Sequence, residues 1–309
     1  MGCALPLLAL ELAFRALGIA PPQPGLDAEG APVVNWAARE RNRQGFHDRE
    51  WVLRKSDDRA RVLVLGDSFV HGRDVPLAQL LHTRVEALVD ERLGRDACEL
   101  WNLGRRGAST HNEVELLEQR GLRYEPDAVL IVFFVNDATA LDTNASLVAE
   151  MNDALHERDG WLNQASAAWD YFHWRLTRRS VGAATIEQYR AAYLGDKQTI
   201  ALWRTAQRAL QRARALADEN GFHLGLAIFP ALLQLDEEHA LQDVYEEVER
   251  TCAMFEIPTL NLLPSFLGHD PRELWVSPTD AHPNGRAYEL AAEPLADFLL
   301  EQGFVERER

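Results

Sequence analysis

The chain is poor in cysteine, and the three it has are not arranged for chemistry. Cys3, Cys98 and Cys252 form no CxxC pair and no metal-ligand spacing. Cys98 lies in an apolar, strand-like run and Cys252 on an apolar helical stripe, so both read as inert core thiols. Basic residues are also scarce, with 32 Lys and Arg against 48 Asp and Glu and a net charge of −16. This balance argues against a nucleic-acid footprint and against attraction to an anionic membrane surface. There is no internal repeat and no low-complexity tract. The apolar N-terminal run, Cys3 to Leu10, is broken by Glu11 and Arg15, short of the ~20 residues a membrane span needs. No basic region precedes it, Met1-Gly2-Cys3 lacks the upstream part of a lipoprotein box, and Pro6 stands where a myristoylation signal has Ser or Thr. Two readings of this run remain. It is an amphipathic helix packed on the domain, or it is the tail of a membrane anchor that begins upstream of Met1. The second reading would put the protein on the periplasmic side of a cell envelope rather than in the cytoplasm.

The 309 residues exceed the ~250–300 at which single cores stop growing, so one large domain with an insertion or appendage is expected. Residues 1–57 read as an N-terminal helix, a Pro/Gly-rich linker from Pro21 to Pro32, and a polar segment that wraps the domain surface and carries Trp36 and Trp51. Residues 58–309 read as the main domain. There, apolar runs at Arg61–Leu65, Cys98–Leu103, Ala128–Val135, Phe222–Phe229 and Ile257–Leu262 are expected as strands, with the third run central. Helical periodicity falls between them, at 77–89, 113–122, 203–217 and 241–252, and again at 290–299, where Pro294 should kink or restart the helix. Alternating strands and helices predict an α/β fold with a five-stranded parallel sheet covered on both faces. Residues 138–197 are expected as a helical insertion between the third and fourth strands. Trp161, Trp169, Tyr171, Phe172, His173 and Trp174 should form its core, or else one or two of them should reach the pocket.

Open α/β sheets place ligands beyond the carboxyl ends of their strands. The first strand ends in Gly66-Asp67-Ser68. There Asp67 or Ser68 either caps the next helix or serves as a reactive group. The second strand runs into Asn102-Leu103-Gly104-Arg105-Arg106-Gly107, the third ends in Asn136-Asp137, and the C-terminal segment holds Asp280-Ala281-His282-Pro283-Asn284. Together these supply a hydroxyl, backbone N–H groups near a glycine, an amide and a histidine beside a carboxylate, which are the parts that acyl transfer needs.

In these four blocks the chain resembles the SGNH (GDSL-like) hydrolases over about residues 61–300. The resemblance implies a flavodoxin-like three-layer sandwich and a serine esterase without metal or other cofactor. It implies Ser68 as nucleophile, His282 as base, Asp280 as its orienting carboxylate, and an oxyanion hole from the N–H groups of Ser68 and Gly107 and the amide of Asn136. The chain departs from the family twice. Phe134 replaces the usual Gly of the third block, and one residue rather than two separates Asp280 from His282. In an extended segment residues i and i+2 share a face, and Pro283 favours extension at His282, so the shorter spacing still allows the pair to meet. Thr279, Asp270 and Glu273 are the alternatives for the orienting position. Asp67 and Arg106 are candidates to touch the substrate, Asp137 to brace the Asn136 loop, and His71 is a helix or pocket residue rather than a base. The expected function is hydrolysis of small acyl esters, acetyl esters among them, on a small molecule or a carbohydrate. The alternatives are O-acyl transfer to a carbohydrate and a non-catalytic carbohydrate-binding module. The elbow G-x-S-x-G of the α/β-hydrolases is absent. Nucleic acid is not expected as a partner, and a membrane only through the N-terminal anchor.

Overall fold

The computed structural model describes residues 4–21, 23, 25–55, 58–138 and 161–306. Residues 139–160 of the expected insertion, and Cys3, lie outside the described residues. Helix α1 (Ala4–Leu17) and a single turn, α2 (Trp36–Arg39), precede β1 (Ala60–Gly66). The short α3 (Ser68–His71) and α4 (Leu81–Leu93) lead to β2 (Cys98–Asn102), and α5 (Thr110–Leu116) leads to β3 (Ala128–Phe133). A 3-10 turn (Val135–Ala138), α6 (Trp161–Ala165), α7 (Ala167–Leu194) and α8 (Ala201–Asn220) precede β4 (His223–Ile228), and α9 (Gln242–Met254) precedes β5 (Thr259–Asn261). The chain continues through a hairpin, β6 (Trp275–Ser277) and β7 (Asp280–Pro283), into α10 (Gly285–Glu301).

All seven residues of β1 and all six of β3 are buried, which is why both read as continuous apolar runs and not as alternating patterns. The one charged side chain in β1, Arg61, is buried but fully engaged. It pairs with Glu99 at 2.6 Å, bonds the Tyr124 carbonyl at 2.6 Å and lies 4.0 Å from the Trp101 ring centroid. The five strands pair in parallel in the order β2-β1-β3-β4-β5, the flavodoxin-like order with β3 at the centre. Helices α4 and α10 pack together, as do α5 and α8, and right-handed crossovers put the two pairs on opposite faces. The strand order reverses between β1 and β3, and open α/β sheets place ligands beyond the carboxyl ends of the strands at such a switch point.

Three elements differ from the sequence-based expectation. Helix α10 runs unbroken through Pro294. The proline removes one backbone hydrogen bond, while buried Ala291, Ala292, Leu295 and Ala296 on both sides of it hold the helix down. The polar 33–55 segment does more than coat the surface, because Trp51 stacks on Trp101 at 4.5 Å and buried Asp48 accepts the Trp51 indole N–H at 2.8 Å. The insertion aromatics do not form a core. Trp161 is 75 % exposed, Trp169 48 % and Phe172 45 %. Among the described residues of α7, those that reach the main core lie at its C-terminal end and include Ile186, Tyr189 and Tyr193. The N-terminal half of α7 meets α1 instead: Phe14 packs against Tyr171 and Phe172 at 5.5 and 5.7 Å, and Glu11 caps α7 through Ser166 Oγ and the N–H groups of Ala167 and Ala168.

Candidate active site

Each site residue is placed by a local rule. After β1, the Asp67 carboxylate accepts the Phe69 N–H at 2.7 Å, so Asp67 caps α3 and Ser68 becomes its first residue. The cap is itself anchored, since the Tyr288 hydroxyl of α10 donates to the Phe69 carbonyl at 2.8 Å. On the far side, Pro283 biases His282 toward extension, and residues 280–283 form β7. Asp280 and His282 therefore share a face, and His282 Nδ1 lies 2.5 Å from Asp280 Oδ1. The hairpin pairs Ser277 with Asp280 and Trp275 with Pro283, and the Trp275 indole donates to the Leu232 carbonyl at 2.8 Å. Asn284 then caps α10 by accepting the N–H groups of Arg286 and Ala287.

These placements bring His282 Nε2 to 2.9 Å from Ser68 Oγ. With Asp280 accepting from Nδ1–H, Nε2 is left as the acceptor for the serine proton; this tautomer follows from the network. Burial alone would press the His282 imidazolium down, but the Asp280 hydrogen bond and charge, with Asp67 and Asp74, hold it above the ordinary histidine value. Burial acts to raise Asp280, and the His282 bond and charge outweigh it, so Asp280 stays below the usual carboxylate range.

The third block also reaches the site. Asn136 Nδ2 donates to Asp67 Oδ2 at 2.7 Å. Phe134, which stands in place of the family's glycine, stacks on Phe69 with ring centroids 3.9 Å apart, and Phe69 lies 5.6 Å from the His282 ring. The second block is fixed by Asn102, whose amide donates to the carbonyls of His47 and Val70 at 3.1 and 2.9 Å. A Cβ on Gly104 would fall 2.4 Å from the His71 nitrogen, so only glycine lets this loop lie on α3. The Arg105 N–H bonds the Gly66 carbonyl at 3.0 Å, tying the loop to the end of β1, and Gly107 takes φ +67° in the turn that follows.

Asp67, expected at the substrate, is completely buried, and its oxygens serve Phe69, Asn136 and Ser68 instead. Arg106 is exposed and among the described residues has no ion pair. Its charge acts on His71 and Asp74. His71 does not face Ser68 as a base. Burial first, then His47 and the arginines 106, 73 and 41, bring it to about 4, so it is neutral at neutral pH. Among the described residues no three His, Cys, Asp or Glu side chains are grouped to hold a metal ion. A cleft of about 410 Å3 opens at the opposite end of the sheet, beside Lys55, Asp127 and His223, and none of the residues above lines it.

Sequence reasoning missed the β6–β7 hairpin and Glu113. The hairpin strands are only three and four residues long, too short for a period to show. Glu113 did leave a signal. With Thr110, Val114 and Leu117 it occupies the i, i+3, i+4, i+7 face that α5 buries, and an acid on such a face is out of place.

The GDSL-like lipase/acylhydrolase family model matches residues 64–290. The chain belongs to this family. No curated protein sequence matches it. Solved structures similar to this GDSL-family chain include a catalytic mutant of an acetylxylan esterase from Geobacillus stearothermophilus, with 16 % identity over 83 % of this chain and 99 % of that one and a TM-score of 0.49. A psychrotrophic esterase from Pseudoalteromonas sp. shares 13 % identity over 77 % of this chain and 96 % of its own, with a TM-score of 0.46. A two-domain esterase active on acetylated mannans shares 14 % identity over 79 % of this chain, with a TM-score of 0.47. The chain spans about half, 49 %, of that enzyme's length.

Proposed function

We propose that the chain is a serine esterase that hydrolyses small acyl esters, acetyl esters among them, through an acyl-enzyme. The observation that carries this reading is the continuous line from Ser68 Oγ to His282 Nε2, 2.9 Å, and from His282 Nδ1 to Asp280, 2.5 Å. His282 takes the serine proton as Oγ attacks the ester carbonyl, and Asp280 holds the imidazole in the useful tautomer and stabilises the imidazolium. The oxyanion is met by the N–H groups of Ser68 and Gly107 and by the Asn136 amide, which Asp67 holds at 2.7 Å. The imidazolium then gives its proton to the leaving alcohol, and water enters by the same route in reverse. Asp67 works from behind, as the cap of α3 and the partner that orients Asn136. Exposed Arg106 supplies positive charge beside the site for an acidic group on the alcohol half of the substrate.

The test is acyl release from p-nitrophenyl esters of increasing chain length, with and without sugar acceptors. Fast turnover of the acetyl ester in buffer alone supports hydrolysis. An acyl-enzyme that persists in buffer and clears only when an oligosaccharide is added would make the protein an O-acyltransferase. No acyl release under either condition would leave the carbohydrate-binding reading.

For localisation we propose the cell envelope. The exposed Leu7, Leu8, Leu12 and Leu17 of α1, beside exposed Trp169, Phe172 and Leu176 of α7, support a membrane-facing position. Among the described residues no helix is long and apolar enough to cross a membrane. Co-flotation with phosphatidylcholine vesicles, lost when the four leucines become serine, is the expected result.

A further inference from the structure

Behind Ser68, on the side away from His282, lies a second group of carboxyls. Asp67, Glu113 and Asp137 are 0, 1 and 3 % exposed. Asp67 follows β1, Asp137 lies in the 3-10 turn after β3, and Glu113 is on α5, which packs on both β1 and that turn. Asp67 is well supplied with donors, from the Phe69 N–H and the Asn136 amide at 2.7 Å each. The other two are not. Neither oxygen of Glu113 nor Oδ1 of Asp137 accepts a hydrogen bond, and among the described residues Oδ2 of Asp137 has only the Phe134 N–H at 3.4 Å. The Thr110 hydroxyl, wholly buried on the first turn of α5, acts on Asp137 but closes no bond of full geometry.

An ionised carboxylate in this position would lose its hydration with no donors in return. Three neighbouring carboxyls sealed from water also cannot all be charged. A carboxylic acid avoids both costs, because its O–H is itself a donor to a neighbouring carboxyl. Asp67 beyond β1 faces both acids, and Tyr193 on α7 faces Asp137, while His282 on β7 and Tyr189 on α7 act on Asp67. The Tyr193 hydroxyl donates to the Val135 carbonyl at 2.8 Å, and among the described residues no Lys or Arg acts on Glu113.

We propose that Glu113 and Asp137 are a proton-holding carboxyl pair that positions Asp67 and, through it, the Asn136 amide for the oxyanion. This rests on the proposed reading that Asn136 meets the oxyanion. Burial first, then the negative charge of Asp67, pushes Glu113 well above the ordinary carboxylate range; burial, then Glu113 and Asp67, does the same for Asp137. Each acid carries its own proton at neutral pH, and Asp67, with two strong donors, carries the negative charge. The pair is neutral bracing that adds no second charge to repel the developing oxyanion.

The direct test is an infrared difference spectrum at neutral pH, wild type minus Glu113→Gln, without substrate. The expected loss is the C=O stretch of a protonated acid; loss of a carboxylate band would overturn the proposal. Gln is a neutral isostere of the acid, so a Glu113→Gln chain that fails to fold also counts against it. Glu113→Ala should lower kcat by about tenfold or more at nearly unchanged KM, and Gln should restore most of that loss. A Glu113→Ala enzyme that is less stable but has full kcat per folded molecule makes the residue structural only and overturns the positioning role. The spectrum needs no substrate, so an acid band found in a chain with no esterase activity would count against the proposed function and not against the pair.

Discussion

Ser68 stands between two carboxyl environments built on opposite rules. On one side, half-buried Asp280 has a ring N–H and a backbone N–H of His282 at 2.5 and 3.1 Å, and it stays ionised. On the other, Glu113 is buried in the core and neither of its oxygens has a donor. The residue types are nearly the same, and what differs is the supply of hydrogen-bond donors. Asp67 is the intermediate case: it is fully buried and pushed up by that burial, but the Phe69 and Asn136 donors and the His282 charge pull it back. On the proposed reading, this difference lets one fold hold a charged carboxyl that orients a base within reach of neutral ones that orient an oxyanion donor.

Changes on the His282 side should have the larger effects. Ser68→Ala removes the group that both sides serve, and turnover should fall on the order of 10^6-fold with an unchanged thermal unfolding curve. Asp280→Asn should lower kcat by up to about 10^4-fold. It should also shift the acid limb of the pH–rate profile to lower pH, because Asp280 is the main influence holding the His282 imidazolium up. A profile that keeps its position would move the orienting role to another carboxylate. On the buried side, Asn136→Ala should cost about 10^2–10^3-fold in kcat, the usual effect of losing one oxyanion donor at ~2.7–4 kcal/mol of barrier.

The acid pair also sets a trend in stability. Groups whose folded values are raised stabilise the fold below their unfolded values, and they lose that contribution as pH rises through the folded ones. Wild type should therefore lose stability toward alkaline pH, and Glu113→Gln should lose less of it, as denaturant midpoints across pH would show. Parallel midpoint curves for the two chains would contradict a raised Glu113. Smallest of all, Arg106→Ala should raise KM severalfold for an ester with an anionic alcohol and leave KM for a neutral ester unchanged.

Most of the sheet was legible in the sequence because buried parallel strands are written as unbroken apolar runs, and β1, β3 and β4 lie within one or two residues of their expected bounds. The blocks at Ser68, Asn136 and His282 were legible because each follows or interrupts an element in a recognisable way. Pro283 after His282 announced the extended local geometry of the base. The partners of these residues were harder to see. The role of Asp67 depends on Asn136, 69 residues away, and no local pattern carries a long-range hydrogen bond. The insertion aromatics misled for a related reason. Their helical spacing gave a face but not what covers it, and the cover is Phe14 near the other end of the chain.

The central claim is that Ser68 is the nucleophile activated by His282. Incubation with a serine-directed phosphonate, followed by peptide mass spectrometry, tests it most directly. One adduct on Ser68 is expected, forming faster as pH rises through the His282 value and nearly absent in His282→Ala. An adduct on another residue, or labelling of Ser68 that proceeds as well without His282, would contradict it.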